Sequence, residues 1–237
     1  MTVIWHDLEC GGYAVDLPLW RSLAATHGDP VLDVGAGTGR VALDLARHGH
    51  EVTALDHDPE LVTELRSRAA GTSLDAVLGD AREFELGRQF RLCIVPMQTI
   101  QLLGGSDGRG AFLLSARRHL TRGGTLAVAI SETLESYETA NGAPAPLPDV
   151  RELEGIVYSS QPVAVRVDEE GFVLERRRET VGLDGTHITE DNAVRLDRLH
   201  PTDFEREAIA AGFTPAARMS VPASDEYTGS IVVIAHA

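Results

Sequence analysis

The chain has 237 residues, 43% of them hydrophobic, and a formal net charge of -15. That length allows one substantial core, or one core carrying an insertion, and no apolar run approaches the length needed to cross a bilayer. The acidic balance argues against nucleic-acid or anionic-membrane partners, which need a positive field, so no nucleic acid and no membrane is expected.

In chain order, residues 1–12 carry Trp5, His6 and Cys10 and end in Gly11-Gly12. They lack a basic segment followed by an apolar one, so no secretory signal is expected, and they read as mobile unless folded over a ligand. Val15, Leu19 and Leu23 share one face of a helix expected over 13–25, with Pro18 at its start or kinking it. A strand at 31–34 is followed by the glycine turn 35–39 and by a helix on which Val41, Ala42, Leu45 and Ala46 recur until Gly49. Strands at 51–55, 74–78, 90–96 and 124–130 alternate with helices at 59–70 and 111–120. Such alternation implies an α/β fold, a parallel sheet with helices on both faces.

From Ser131 the pattern changes. The proline-rich stretch 143–148 leads to short alternating runs at 155–160, 163–167, 172–181 and 187–196, with turns at Glu170-Gly171 and Asp184-Gly185. These read as an inserted antiparallel β layer, covering a substrate or pairing two subunits in a homodimer. Thr202 and Glu205 match a capping box for a helix ending at Gly212, and 231–234 is a last apolar strand. The expected organisation is 1–130 as N-terminal segment plus core, 131–200 as insert and 201–237 as the closing helix and strands. Two cysteines, Cys10 and Cys93, make no disulfide framework and suit a reducing cytoplasm. All 21 basic residues are arginine, which with the alanine-rich composition reflects a GC-rich coding sequence more than a function.

The chemistry points to Asp33-Val34-Gly35-Ala36-Gly37-Thr38-Gly39-Arg40. Glycines suit a sharp strand-to-helix turn against which a ligand presses, where a Cβ would intrude. The dinucleotide fingerprint G-x-G-x-x-G wants a glycine where Arg40 stands, and Asp33 puts a carboxylate where a pyrophosphate would lie. The turn therefore suits a ligand bearing an amine or sulfonium. Asp56 ends the second strand, where an acid can take both hydroxyls of a ribose, and Asp80 follows the third.

The motif D-V-G-A-G-T-G, with acids ending three successive strands, resembles class I, Rossmann-like S-adenosylmethionine-dependent methyltransferases, and loosely their small-molecule members, including amino-sugar N-methyltransferases. The resemblance implies a seven-stranded Rossmann-like sheet, S-adenosyl-L-methionine as donor and S-adenosyl-L-homocysteine as product. It implies cofactor contacts from Tyr13, Asp33, Gly35, Gly37, Gly39, Asp56, His57, Asp80, Ala81 and Pro96, with Asp80 toward the adenine amino group. A small-molecule methyl acceptor would meet Trp5, His6, Gln98, Gln101, Glu132 and Tyr158, and Tyr13 and His200 are the catalytic candidates. Because the leaving group is already good, alignment in a dry pocket supplies most of the catalysis. The alternative is a non-catalytic S-adenosylmethionine- or nucleoside-binding protein on the same fold.

Plainer roles suit the same residues. Asp33 can cap the next helix, Asp56 can be a loop acid ahead of Pro59, Asp80 can sit in a solvated turn and His200 can bond at a helix entry. Arg176-Arg177-Arg178 reads as a strand with alternating solvated charges, and Cys93 as a small core residue. His48 and His50 have no supporting cluster, and no metal is expected.

Overall fold

The four-residue run Val31–Val34 is buried throughout and forms β1. Strands covered on both faces need continuous apolar character. β1 pairs in parallel with β2 (Val52–Asp56) on one side and with β4 (Phe90–Val95) on the other. Beyond β2 lies β3 (Leu74–Leu78), and beyond β4 lies β5 (Leu120–Ile130). The computed structural model describes residues 2–142, 144, 146–224 and 227–237, so Ala143 and Ala145 of the proline-rich connection lie outside the described residues.

The sheet is completed by two late strands, β11 (Thr214–Val221) and β12 (Ser230–His236), to give the order β11-β12-β5-β4-β1-β2-β3. β12 runs antiparallel to both neighbours. The expected seven-stranded α/β sheet is therefore present. β11 carries no apolar run because seven of its eight residues are exposed at the sheet edge, so periodicity does not reveal it. The helices of this sheet are α2 (Leu17–His27), α3 (Arg40–Arg47), α4 (Pro59–Arg68), α5 (Gly105–His119) and α6 (Pro201–Ala210). α2 starts four residues later than expected, with Pro18 in its first turn, where a missing N–H costs nothing. Two apolar clusters line the sheet, one around Trp20, Leu45 and Ile94, the other around Phe90, Phe112 and Phe204.

α4 starts at Pro59 as expected, and Asp58 caps it, its carboxylate accepting the amides of Glu60 and Leu61. The expected capping box before α6 does not form. Pro201 takes the first helical position, so the cap falls on His200, whose ring accepts the Thr202 amide. Glu205 instead receives Arg218 through both oxygens, at 2.6 and 2.7 Å.

The chain divides into two compact units, Tyr13–Glu132 with Leu199–Ala237, and Met1–Gly12 with Thr133–Arg198. The first twelve residues thus group with the insert and not with the core. They are not loose chain: Thr2–Cys10 is a helix, α1, that packs on β7 (Asp149–Leu153) and β8 (Ile156–Val167). The insert sheet continues through β9 (Gly171–Val181) and β10 (His187–Asp197), with the two-residue strand β6 (Tyr137–Glu138) on β8. The two runs expected around Pro162 are one strand, β8, whose pairing with β9 shifts register between Pro162 and Ala164. A proline there cannot donate to the ladder, and a bulge accommodates it.

Arg176 and Arg178 are not solvated as expected. Arg178 grips Glu9 of α1 at 2.7 and 2.8 Å, and Arg176 pairs with Asp149 and Ser160. Only the middle arginine of the run, Arg177, is more than half exposed, facing Asp191. Burial pushes the Glu9 carboxyl up, but the bonds from Arg178 and Ser160 and the two guanidinium charges bring it below its ordinary value.

Candidate functional site

After β1 the chain turns to one side to make β2 and β3, and β4 and β5 lie on the other, so the sheet order reverses between β1 and β4. Open α/β sheets bind ligands beyond the carboxyl ends of the strands at such a point. The glycine turn leaves β1 there and the segment Pro96–Thr99 leaves β4. The two segments touch: a Cβ on Gly35 would lie 2.3 Å from Thr99 Cγ2, and Gly35 has a φ of +73°. Gly39, at +96°, lets α3 approach Leu65 of α4.

The turn's amides are occupied. Gly35 and Ala36 donate to the Leu55 carbonyl at 2.8 and 3.1 Å, Gly39 donates to Ala36, and Gly37 donates to Asp56 Oδ2 at 2.8 Å. Asp33, buried on β1, is of opposite character: among the described residues neither of its carboxylate oxygens has a hydrogen bond of ordinary length, and the Ala42 amide exerts the weakest of the influences on its carboxyl. Gly39, not Asp33, stands at the cap position of α3. Burial pushes the Asp33 carboxyl up to about 7, with Asp56 and Asp16 adding to the rise and Arg40 and the Ala42 amide opposing it. A buried acceptor so short of donors, beside turn amides already bonded to Leu55, Ala36 and Asp56, fits a cationic ligand better than a phosphate.

Asp56 is 7% exposed at the end of β2. Its Oδ1 accepts the Asp58 amide at 3.0 Å, so with Gly37 on Oδ2 it locks the turn, and each oxygen keeps a second lone pair for a further donor. His57 is exposed, with its Nδ1 3.4 Å from Asp56 Oδ1. Asp80 is held by the Arg82 side chain at 3.0 Å and by its amide at 2.8 Å, bonds that keep its carboxyl down at about 2. Ala81 is half-buried against the second apolar cluster, and Pro96 is buried at the end of β4.

Tyr13 is buried, tilted against Tyr227 at 4.7 Å between ring centres and covered by the Arg40 guanidinium at 5.0 Å. Burial raises its phenol to about 12, with Asp16 adding and Arg40 opposing, so it stays protonated near neutral pH. Gln101 turns inward: it donates to the Ser131 carbonyl at 3.1 Å and accepts the Ser131 amide at 2.9 Å. Gln98 donates to Ser131 Oγ at 3.0 Å. Glu132 follows directly, and its Oε1 meets His200 Nε2 at 2.9 Å. His200 Nδ1 accepts from Thr202, which assigns the ring proton to Nε2 and aims it at Glu132. A neutral His200 therefore has no free lone pair, and the arrangement suits it to orient Glu132.

Trp5, His6 and Tyr158 belong to the other unit. Trp5 is buried there, edge-on to Tyr158 at 5.6 Å and beneath Arg178 at 5.3 Å. His6 lies half-buried on α1. Three residues at the core site carry no sequence signal: Thr99 against Gly35, Ser131 between the two glutamines, and Met97, held at a φ of 54° two residues after β4. Non-glycine residues in that region store strain and cluster at ligand sites. Among the described residues no group of three His, Cys, Asp or Glu is arranged to hold a metal, and no helix is long and apolar enough to cross a membrane.

A family model described as a methyltransferase domain matches residues 31–124. Over 84 residues, 34% of this chain, the sequence is 36% identical to a probable cobalt-precorrin-6B C(15)-methyltransferase of Methanothermobacter thermautotrophicus, of which that stretch covers 40%. Over 98 residues, 41% of this chain, it is 29% identical to dTDP-3-amino-3,4,6-trideoxy-alpha-D-glucopyranose N,N-dimethyltransferase of Streptomyces venezuelae, again covering 40% of that protein. These matched stretches span less than half the relatives' own length. The fold is similar over nearly the whole chain to the sugar N-methyltransferase KedS8 from Streptoalloteichus, with a TM-score of 0.77, 18% identity and coverage of 98% of this chain and 91% of that one. For the amino pentose methyltransferase CalS10 from Micromonospora echinaspora the TM-score is 0.73 at 19% identity, covering 100% and 97%. Residues 31–124 thus match a methyltransferase domain, and the strand order of the sheet is that of a Rossmann-like methyltransferase fold, shared with these structures over nearly the whole chain.

Proposed function

We propose that the chain transfers a methyl group from S-adenosylmethionine to a nitrogen, or less favourably an oxygen, of a small metabolite. The observation that carries this reading is Asp33, a buried carboxylate neither of whose oxygens has a hydrogen bond of ordinary length from a described residue, beside a turn in which the amides of Gly35, Ala36, Gly37 and Gly39 are satisfied. Such a group is stabilised by a cation, which the donor's ammonium or sulfonium provides. S-adenosylmethionine, when bound, supplies an electrophilic methyl on a good leaving group.

The chain's residues do the rest by holding. Asp33 faces the donor's positive end, Asp56 takes the ribose hydroxyls on its remaining lone pairs, and Gly35 with Thr99 closes the crevice floor. Asp80 with Ala81 borders the adenine. On the acceptor side, Gln98 and Glu132 present polar groups beyond β4 and β5, and His200 orients Glu132. The acceptor nitrogen attacks neutral; its bond to the methyl carbon forms as the carbon–sulfur bond breaks, and its proton leaves to the Glu132 carboxylate or to water. An acidic chain also attracts cationic amines, which favours nitrogen. The shared fold of KedS8 and CalS10 supports an amino-sugar acceptor within this class.

Calorimetric titration with S-adenosylhomocysteine, followed by mass detection of methylated products from a panel of amines, amino sugars and phenols, tests the proposal. Absence of binding overturns it. Binding without transfer to any acceptor supports the non-catalytic alternative.

A further inference from the structure

The end of the core sheet opposite the glycine turn carries a second polar cavity, of about 340 Å³. It lies where β4 and β5 begin. Phe90 pairs with Leu120 and Leu92 with Thr125, so residues 121–124 bulge out of the ladder opposite Arg91. The bulge holds Gly123 at a φ of +76° and is tied down by exchange of backbone bonds between Gly123, Gly124 and Ala237. Such a volume is at the lower end of small-molecule sites, which run from about 300 to 1,000 Å³.

Its lining is one-sided in charge. Arg91, Arg122 and His27 line it together with Thr125, and among the described residues no acidic side chain does. Other arginines of this unit are spent on carboxylates: Arg21 on Asp44, Arg40 on Asp16, Arg82 on Asp80, Arg109 on Glu207 and Arg218 on Glu205. The exposed guanidinium groups of Arg91 and Arg122, like that of Arg47 elsewhere on this unit, make no hydrogen bond or ion pair with any described residue, and these two line one cavity. Asp29, close by in sequence, is engaged with His50 and the Glu51 amide. Behind the cations, Thr125 Oγ1 bridges His27 Nδ1 at 3.0 Å and His236 Nδ1 at 3.2 Å, and the two rings lie 6.3 Å apart. Burial and the neighbouring His236 lower the His27 pKa, leaving it ready to gain a proton when an anion arrives.

We infer that this cavity is an oxyanion site for a phosphate group, free or carried on a small metabolite, held by Arg91 and Arg122 and separate from the methyl-donor site. Guanidinium groups grip phosphate through paired N–H bonds, and the room beyond one phosphate allows a phosphorylated small molecule.

The test uses the whole chain at constant ionic strength, with inorganic phosphate, glucose 1-phosphate and acetate as probes. Phosphate should bind saturably, and NMR titration should show the His27 pKa rising in its presence. The double variant Arg91→Gln/Arg122→Gln should lose affinity by about tenfold or more, while its fold and its S-adenosylhomocysteine affinity stay unchanged. Tighter binding of glucose 1-phosphate than of phosphate identifies a carried group; the reverse identifies the free ion. An unmoved His27 titration at saturating phosphate overturns the inference, as does equal affinity in the double variant or an equal response to acetate. Because the donor site is read independently, a failure here leaves the methyltransferase proposal standing.

Discussion

Arg40 and Asp16 form a two-armed ion pair, at 2.6 and 2.8 Å, at the mouth of the glycine turn. Asp16 also accepts Trp20 Nε1 at 2.8 Å, and Arg40 donates to the Tyr13 carbonyl at 2.8 Å. The residue that spoils the dinucleotide fingerprint thus anchors residues 13–20 to the start of α3. Arg40→Ala leaves Asp16 buried and uncompensated, so we expect a loss of about 3–5 kcal/mol in urea unfolding. Arg40→Lys, unable to reproduce the planar fork, should recover only part of it.

Asp33 makes stability and binding depend on pH. Its carboxyl sits near 7 in the folded chain against about 3.9 unfolded, so the folded state holds a proton that the unfolded state has lost between these values. The stabilising contribution is complete below pH about 4 and is lost as pH rises toward about 7, by at most about 1.4 kcal/mol per pH unit. Asp33→Asn should flatten that slope in thermal melts of the unliganded chain. A cationic ligand restores the ionised form, so donor binding at pH about 6 should release about one proton, and none well above pH 7. Calorimetry in buffers of different ionisation enthalpy reads this directly; no buffer dependence would mean that Asp33 does not face the ligand.

Asp56 holds the amides of Gly37 and Asp58; if it also takes the ribose hydroxyls as proposed, Asp56→Ala should weaken S-adenosylhomocysteine by about 1.5–3 kcal/mol and also lower stability. Unchanged affinity with lowered stability would leave it a purely structural role.

Gly35→Ala tests the closeness of the β1 and β4 segments. The added methyl meets Thr99 and a positive φ, so we expect about 2–4 kcal/mol of destabilisation in denaturant titration. Thr99→Ala in the same chain should return the part due to the clash but not the part due to φ.

Arg109, 6% exposed on α5, reaches Glu207 of α6 at 2.8 and 2.7 Å. Arg109→Ala should cost about 2–4 kcal/mol, since Glu207 keeps some access to water. Donor affinity at pH 8, read by calorimetry, should be unchanged in the folded fraction.

The sequence by itself determined the parts that repeat a local rule. The alternation of apolar runs with helical faces specified the parallel sheet, and the glycines with Asp33, Asp56 and Asp80 marked the carboxyl ends of its strands. These signals are legible because backbone geometry and burial act on neighbouring residues. Only the tertiary structure decided what those side chains are free to do. Pairing across long separations spent the turn's amides on Leu55 and Asp56, turned Gln101 onto Ser131, joined Glu132 to His200 over 67 intervening positions and packed α1 on the insert sheet. It also left Asp33 without a hydrogen bond of ordinary length from any described residue. Hydrogen-bond satisfaction is a property of three-dimensional neighbours, and so the unsatisfied carboxylate on which the functional reading rests is invisible until the chain is folded.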